Sequence, residues 1–150
     1  MIAYIYVVFS ILYGTLYVEY HESIINHNHF NGIPYHFFID GNGVIYEGRP
    51  INYKGSHVVK NNTSKIGIVL MGNFQSDADG IAMRLKDALP TKSTNKQIDS
   101  LQKLLVVLDT QYGIDCVGGH RDFTVEDNST ECPGNALYEV LETYNLIKLH

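Results

Sequence analysis

Two side chains on one short stretch have the chemistry of soft-metal ligands. They are His120 and Cys132, within Gly-Gly-His-Arg-Asp-Phe-Thr-Val-Glu-Asp-Asn-Ser-Thr-Glu-Cys-Pro-Gly at 118–134. Imidazole and thiolate suit zinc better than calcium or magnesium, and a zinc that does chemistry keeps one position open for water. Pro133 fixes the backbone just after the thiol, so both side chains can turn toward one ion with no helix or hairpin between them. Spacing alone does not complete a site. A lone His and a lone Cys are more often structural than ligating, and a third ligand has to come from elsewhere in the chain. Asp122 is placed to orient His120 or to pair with Arg121. His120-Arg121-Asp122 also has the order of a kinase catalytic loop. That reading fails, because Asp127 stands where the motif needs Asn and no glycine-rich phosphate loop occurs.

The elements that must position these residues belong to a chain of 150 residues, 45% of them hydrophobic, which suits a single domain with a real core. The formal net charge of -5, with no Lys/Arg run, argues against a nucleic-acid surface. Eleven Tyr and no Trp suit sheet packing, and equally a carbohydrate or peptide contact surface. Cys116, beside Val117, reads as a small buried hydrophobe. The two cysteines set no disulfide framework.

Residues 2–18 form an uncharged apolar run. It reads either as a signal-like segment or as a first core strand. It is short for a membrane helix, and it lacks the basic start and small-residue cleavage site of an export signal. Residues 19–31 are polar with a weak helical pattern ending at Asn31-Gly32. Residues 35–47 predict a β-hairpin turning at Gly41-Asn42-Gly43. Ile66–Met71 is a continuous apolar run, as in a central strand covered on both faces. A loop with a short helical piece over 82–88 follows. Thr94-Asn95-Lys96-Gln97 has capping-box spacing before a helix whose apolar positions, Ile98, Leu101, Leu104, Leu105 and Leu108, run to Gly113. Ile114–Val117 predicts a strand that delivers the 118–134 loop. Asn135–Leu146 predicts a closing helix with Leu137, Val140, Leu141 and Tyr144 inward. The fold class is α/β (α+β): a central mixed β-sheet flanked by helices.

Several ordered motifs carry a resemblance. They are Gly32-Ile33-Pro34-Tyr35-His36-Phe37, Gly41-Asn42-Gly43-Val44-Ile45-Tyr46-Glu47-Gly48-Arg49-Pro50, Gly55-Ser56-His57, Ile66-Gly67-Ile68, Gly72-Asn73-Phe74, Gly119-His120-Arg121-Asp122 and Thr130-Glu131-Cys132-Pro133-Gly134. In that order the chain resembles the zinc-dependent N-acetylmuramoyl-L-alanine amidases of the phage-lysozyme type and their relatives, the peptidoglycan recognition proteins. The resemblance implies a peptide-stem groove above a zinc ion. His120 and Cys132 match two of the family's three zinc ligands. Tyr35 matches its catalytic tyrosine, and Thr130 the position of a lysine or threonine beside the reacting carbonyl. His57 matches a groove residue in reach of substrate.

The family's first ligand is a His at the end of the first core strand. His21 is the substitute if the strand is Leu16–Tyr20. If the strand is Tyr4–Ser10, its end carries no ligand. His27 and His29 read as loop histidines. The implied activity is hydrolysis of the amide between the lactyl group of N-acetylmuramic acid and L-alanine, with Zn2+ as cofactor and with Tyr35 and Thr130 donating to the oxyanion. The alternative is a recognition module that binds the muropeptide with an incomplete zinc site. Either way the expected partner is peptidoglycan, with no nucleic acid and no stable membrane span. The protein is expected to be a monomer, secreted or facing the cell envelope, although phage-type accumulation in the cytoplasm before lysis also fits the resemblance.

Overall fold

The computed structural model describes residues 3–10, 33–72, 74, 92–125 and 130–148, the first of these by backbone alone. The elements in chain order are β1 (Ala3–Ser10), β2 (Phe37–Ile39), β3 (Ile45–Glu47), β4 (Lys65–Met71), α1 (Asn95–Tyr112), β5 (Ile114–Gly119), a 3-10 turn (His120–Phe123) and α2 (Asn135–Thr143). The sheet order is β3-β2-β4-β1-β5. β1, β2, β4 and β5 run parallel, and β3 returns antiparallel at the edge beside β2. The apolar run at the start of the chain therefore supplies a strand at the heart of the sheet, hydrogen-bonded to β4 on one side and β5 on the other.

The hairpin forms for the reason its turn residues suggest. Asp40 O accepts from Gly43 N–H, and the Asp40 carboxylate accepts from the N–H groups of Asn42 and Val44. Gly43 sits at φ 80°, a left-handed position that glycine takes without strain. The capping box before α1 is also present, and it does more than cap. Thr94 Oγ1 accepts from Gln97 N–H, while the Gln97 side chain accepts from Thr94 N–H. The fully buried Gln97 amide then donates to Ile39 O and Met71 O, so one side chain ties the helix start to the ends of β2 and β4. Gly113, at φ 64°, stops the helix by donating to Asp109 O.

Strand periodicity sorts the core onto two faces. Ile66, Ile68 and Leu70 pack with Ile98, Leu101, Leu104 and Leu108 of α1 and with Leu137 and Leu141 of α2. Val69 lies on the opposite face with Phe38, Val58, Cys116 and Phe123. On β5 the simple alternation is broken. The register against β1 slips between Ala3 and Tyr4, whose partners are Ile114 and Cys116. The skipped Asp115 is exposed, and the irregularity lets Ile114 and Val117 share the helix-covered face while Cys116 joins the other.

The closing helix is shorter than its apolar spacing predicts. It ends at Thr143, and Tyr144, expected inward, is the C-cap and 44% exposed. Asn145 takes a left-handed φ of 52°, which ends the helix, and the tail then pairs Lys148 with Val117 through two backbone hydrogen bonds. The helical pieces expected over 19–31 and 82–88 lie outside the described residues. Among the described residues no helix is long and apolar enough to cross a membrane.

Candidate functional site

The face of the sheet away from α1 carries the residues singled out by type and spacing. Tyr35 and Cys132, both half-buried, pack against the cluster of Phe38, Val58, Val69, Cys116 and Phe123. Tyr35 stacks on His57, with ring centroids 5.3 Å apart and planes 14° from parallel. The stack fits because Gly67 of β4 lies beneath it. A Cβ there would lie 2.7 Å from His57 Cδ2 and 3.0 Å from Tyr35 Cδ1. His57 is therefore not the solvated loop histidine that its sequence context allows; only 7% of it is exposed. Its backbone is fixed by Asn62, whose side-chain oxygen accepts from the N–H groups of His57 and Val58.

His36 holds this arrangement from behind. It is 1% exposed, lies edge-on to His57 at 5.7 Å, and uses both ring nitrogens. Nδ1 accepts from Gly67 N–H, so Nε2 carries the proton and donates to Tyr53 O. Nothing in Pro34-Tyr35-His36-Phe37 marks His36 as the residue that joins β4 to the 50s loop.

The 118–134 segment folds as two short pieces held together. Arg121 N–H donates to Cys132 O, which sets the His120 turn beside the cysteine. The Arg121 guanidinium donates to Glu131 O and to Asn135 Oδ1 and lies 4.7 Å over the Tyr138 ring. Asp122 neither orients His120 nor pairs with Arg121 in the described contacts. It accepts from Gly119 N–H at 2.7 Å and from the Tyr138 hydroxyl at 2.9 Å, locking the start of the turn to α2. Thr130 Oγ1 accepts from Cys132 N–H at 3.2 Å, a local turn that fixes the backbone of the cysteine. Both Cys116 and Cys132 are thiols, and the Cys132–Pro133 peptide is cis.

Burial keeps the imidazoles and the phenol of this face uncharged. Burial pushes His57 down to about 3, with the neighbouring His36 and His120 adding to the effect. Burial also lowers His36 and His120. Burial raises Tyr35, and the neighbouring Cys132 adds to the effect, so its hydroxyl stays a proton donor. The surface thus offers neutral imidazoles and a phenol, groups that donate and accept hydrogen bonds without charge.

A zinc ion asks for more than the described residues bring together. His120 and Cys132 are two ligand types on adjoining segments, but no group of three His, Cys, Asp or Glu side chains able to hold a metal occurs among the described residues. β1, the first strand of the sheet, reads Ala-Tyr-Ile-Tyr-Val-Val-Phe-Ser and ends without a ligand type. His21 lies outside the described residues. The described donor set does not by itself fit zinc.

Residues 10–135 match the family described as N-acetylmuramoyl-L-alanine amidase. The chain belongs to that family. Among its relatives, peptidoglycan-recognition protein SD of Drosophila melanogaster is 31% identical over 117 residues, covering 77% of this chain and 54% of that protein. The human N-acetylmuramoyl-L-alanine amidase is 29% identical over 116 residues, covering 75% of this chain and 17% of that protein. The chain thus spans about half or less of the length of these two relatives. Among solved structures, the amidase LysC from Clostridium intestinale superposes with a TM-score of 0.72 at 29% identity, covering 96% of this chain and 85% of that one. In this amidase family the mixed sheet and its flanking helices are the shared frame, and the Tyr35, His57, His120 and Cys132 face is built on it.

Proposed function

We propose that this amidase-family domain binds the peptide stem of peptidoglycan on the face that carries Tyr35, His57, His120 and Cys132, and acts as a recognition domain. The observation that carries the reading is the end of β1. Where the family resemblance expects the first zinc ligand, the strand closes on Phe9-Ser10, while the aromatic and imidazole shelf beside it is fully built. A flat Tyr35–His57 stack with neutral polar edges suits the amide groups of an extended peptide, which want paired donors and acceptors and no net charge. Cosedimentation with insoluble peptidoglycan tests this. Wild type is retained, and His57→Ala, checked for folding by circular dichroism, loses about tenfold in affinity, the worth of one good contact in a desolvated site. Retention unchanged by His57→Ala and by Tyr35→Ala would contradict the assignment of the face.

A zinc-dependent amidase is the second reading. It is favoured by the presence of Tyr35, Thr130, His120 and Cys132 in the order the resemblance implies. It needs a third ligand from outside the described residues, for which His21 is the sequence candidate. One zinc per chain in wild type, lost in both His21→Ala and Cys132→Ala, would favour it over recognition. Either function requires that the protein meet cell wall, from outside the cell or, after accumulation in the cytoplasm, at lysis.

A further inference from the structure

Two asparagines stand side by side at 61 and 62, and their side chains point to different partners. Asn62 folds back on its own loop: its side-chain oxygen accepts from the N–H groups of His57 and Val58, and its amide nitrogen donates to Val58 O. Asn61 reaches across the face. Its Nδ2 donates to Phe123 O at 2.8 Å, a bond between residues 62 apart in sequence, and its Oδ1 accepts from Lys65 Nζ at 2.7 Å. One amide thus holds both the start of β4 and the last residue of the 3-10 turn that begins at His120.

The bond to Phe123 joins the two halves of the Tyr35, His57, His120 and Cys132 face. On one side, residues 58–61 form a turn directly after His57, closed by Asn61 N–H donating to Val58 O at 3.3 Å. Lys60, the third residue of that turn, has a left-handed φ of 58°, a conformation that strains a residue with a β-carbon and persists only where the surroundings fix the backbone. On the other side, Phe123 ends the turn in which Arg121 N–H donates to Cys132 O. Val58 and Phe123 are buried in one cluster, and Cys132 packs against it. Apolar packing has no direction, whereas a hydrogen bond does, so the Asn61 amide fixes a register between the two loops that their shared cluster leaves open.

We infer that Asn61 is a positioning residue: its side-chain amide sets the separation between the His57 loop and the segment carrying His120 and Cys132, and with it the width of the stem-binding face. It acts through Phe123 O and the backbone of the turn. Its effect on a bound stem rests on the recognition proposed above, whereas the positioning itself belongs to the free protein and is measured without ligand. Asn61→Asp isolates the contact, because Asp keeps the size and an acceptor for Lys65 but has no amide to donate and sets an anionic oxygen against Phe123 O. Lys65→Met does the reverse, removing the ammonium and leaving the amide its bond to Phe123 O.

Thiol modification of the full chain with a chelator present, resolved by peptide mass, reads the position of the loops. Cys132 is half-buried on the face, and Cys116, 6% exposed in the same cluster, reports any general loosening. Asn61→Asp, and Asn61→Ala without its added charge, are expected to speed modification of Cys132 about tenfold with Cys116 unchanged, the local opening that follows loss of one part-buried hydrogen bond. Lys65→Met leaves Cys132 at the wild-type rate. No acceleration at Cys132, equal acceleration of both thiols, or the same acceleration in Lys65→Met would each overturn the inference. In cosedimentation with insoluble peptidoglycan, Asn61→Asp is expected to bind about tenfold more weakly than wild type, and Lys65→Met as wild type does. Equal retention of wild type and Asn61→Asp would also overturn it. Failure of wild type itself to be retained counts against recognition alone, and the thiol rates then decide the role of Asn61.

Discussion

At the scale of single residues, the chain shows how little a histidine's neighbours in sequence say about its surroundings. His57 follows Gly55-Ser56 on a polar loop, yet it is buried against Tyr35 because the loop folds back over Gly67. Gly67 is a packing requirement and carries no unusual backbone angle. Gly67→Ala is expected to push the Tyr35–His57 stack off the sheet and to destabilise the protein by about 1–3 kcal/mol, read as a lowered urea midpoint with unchanged slope. The histidines also set a pH dependence. His57 titrates near 3 in the folded protein and near 6.5 when unfolded. Between those values the unfolded chain binds a proton that the folded chain does not, so stability is complete above 6.5 and is lost as pH falls toward about 3. His36, lowered in the same direction, adds to the same trend. Unfolding free energies from urea titrations across that window should fall by roughly a few kcal/mol in total, and His57→Gln should flatten the curve; a wild-type profile flat from neutrality to pH 4 would contradict the burial of His57.

At the scale of elements, the sequence was most legible where local chemistry and tertiary packing agree. Asp40-Gly41-Asn42-Gly43 turns the hairpin through the bonds that Asp and Gly offer at such positions, and Thr94 with Gln97 starts α1 as a reciprocal cap. What the cap pattern could not reveal is that Gln97 also serves the sheet, because donation to Ile39 O and Met71 O is set by which strand ends happen to meet the helix. Replacing Gln97 with Leu keeps the volume and leaves those two strand-end carbonyls and Thr94 N–H without their side-chain partner, while Thr94 Oγ1 keeps the backbone N–H of residue 97. The expected cost is about 2–4 kcal/mol in chemical denaturation, well beyond the ~1 kcal/mol of losing a surface cap. A loss near that smaller figure would mean that the strand-end bonds contribute little. The closing helix was over-extended for a related reason. Apolar periodicity continues through Tyr144, but Asn145 accepts a left-handed turn and ends the helix before the pattern does.

At the scale of the whole molecule, the strand order decides how the site is read. An uncharged apolar run at the start of a chain is written in the same residues whether it is an export segment or a strand in the middle of a parallel sheet, and only long-range pairing separates the two. Placing Ala3–Ser10 between β4 and β5 makes it the first core strand, and that strand ends without a metal ligand. The Tyr35, His57, His120 and Cys132 face was legible through ordered motifs spread across the chain. The uncharged state of its imidazoles and phenol, its support by His36 and Asn62, and the clamp of Arg121, Asp122 and Tyr138 were not, because each depends on contacts between segments far apart in sequence. The most direct test of the recognition reading is to incubate the protein with purified insoluble peptidoglycan in the presence of added zinc, and to measure both the protein retained and the peptide stems released. Retention with no release above a protein-free control is the predicted result; chelator-sensitive release of stems beginning at L-alanine would contradict it and establish an amidase.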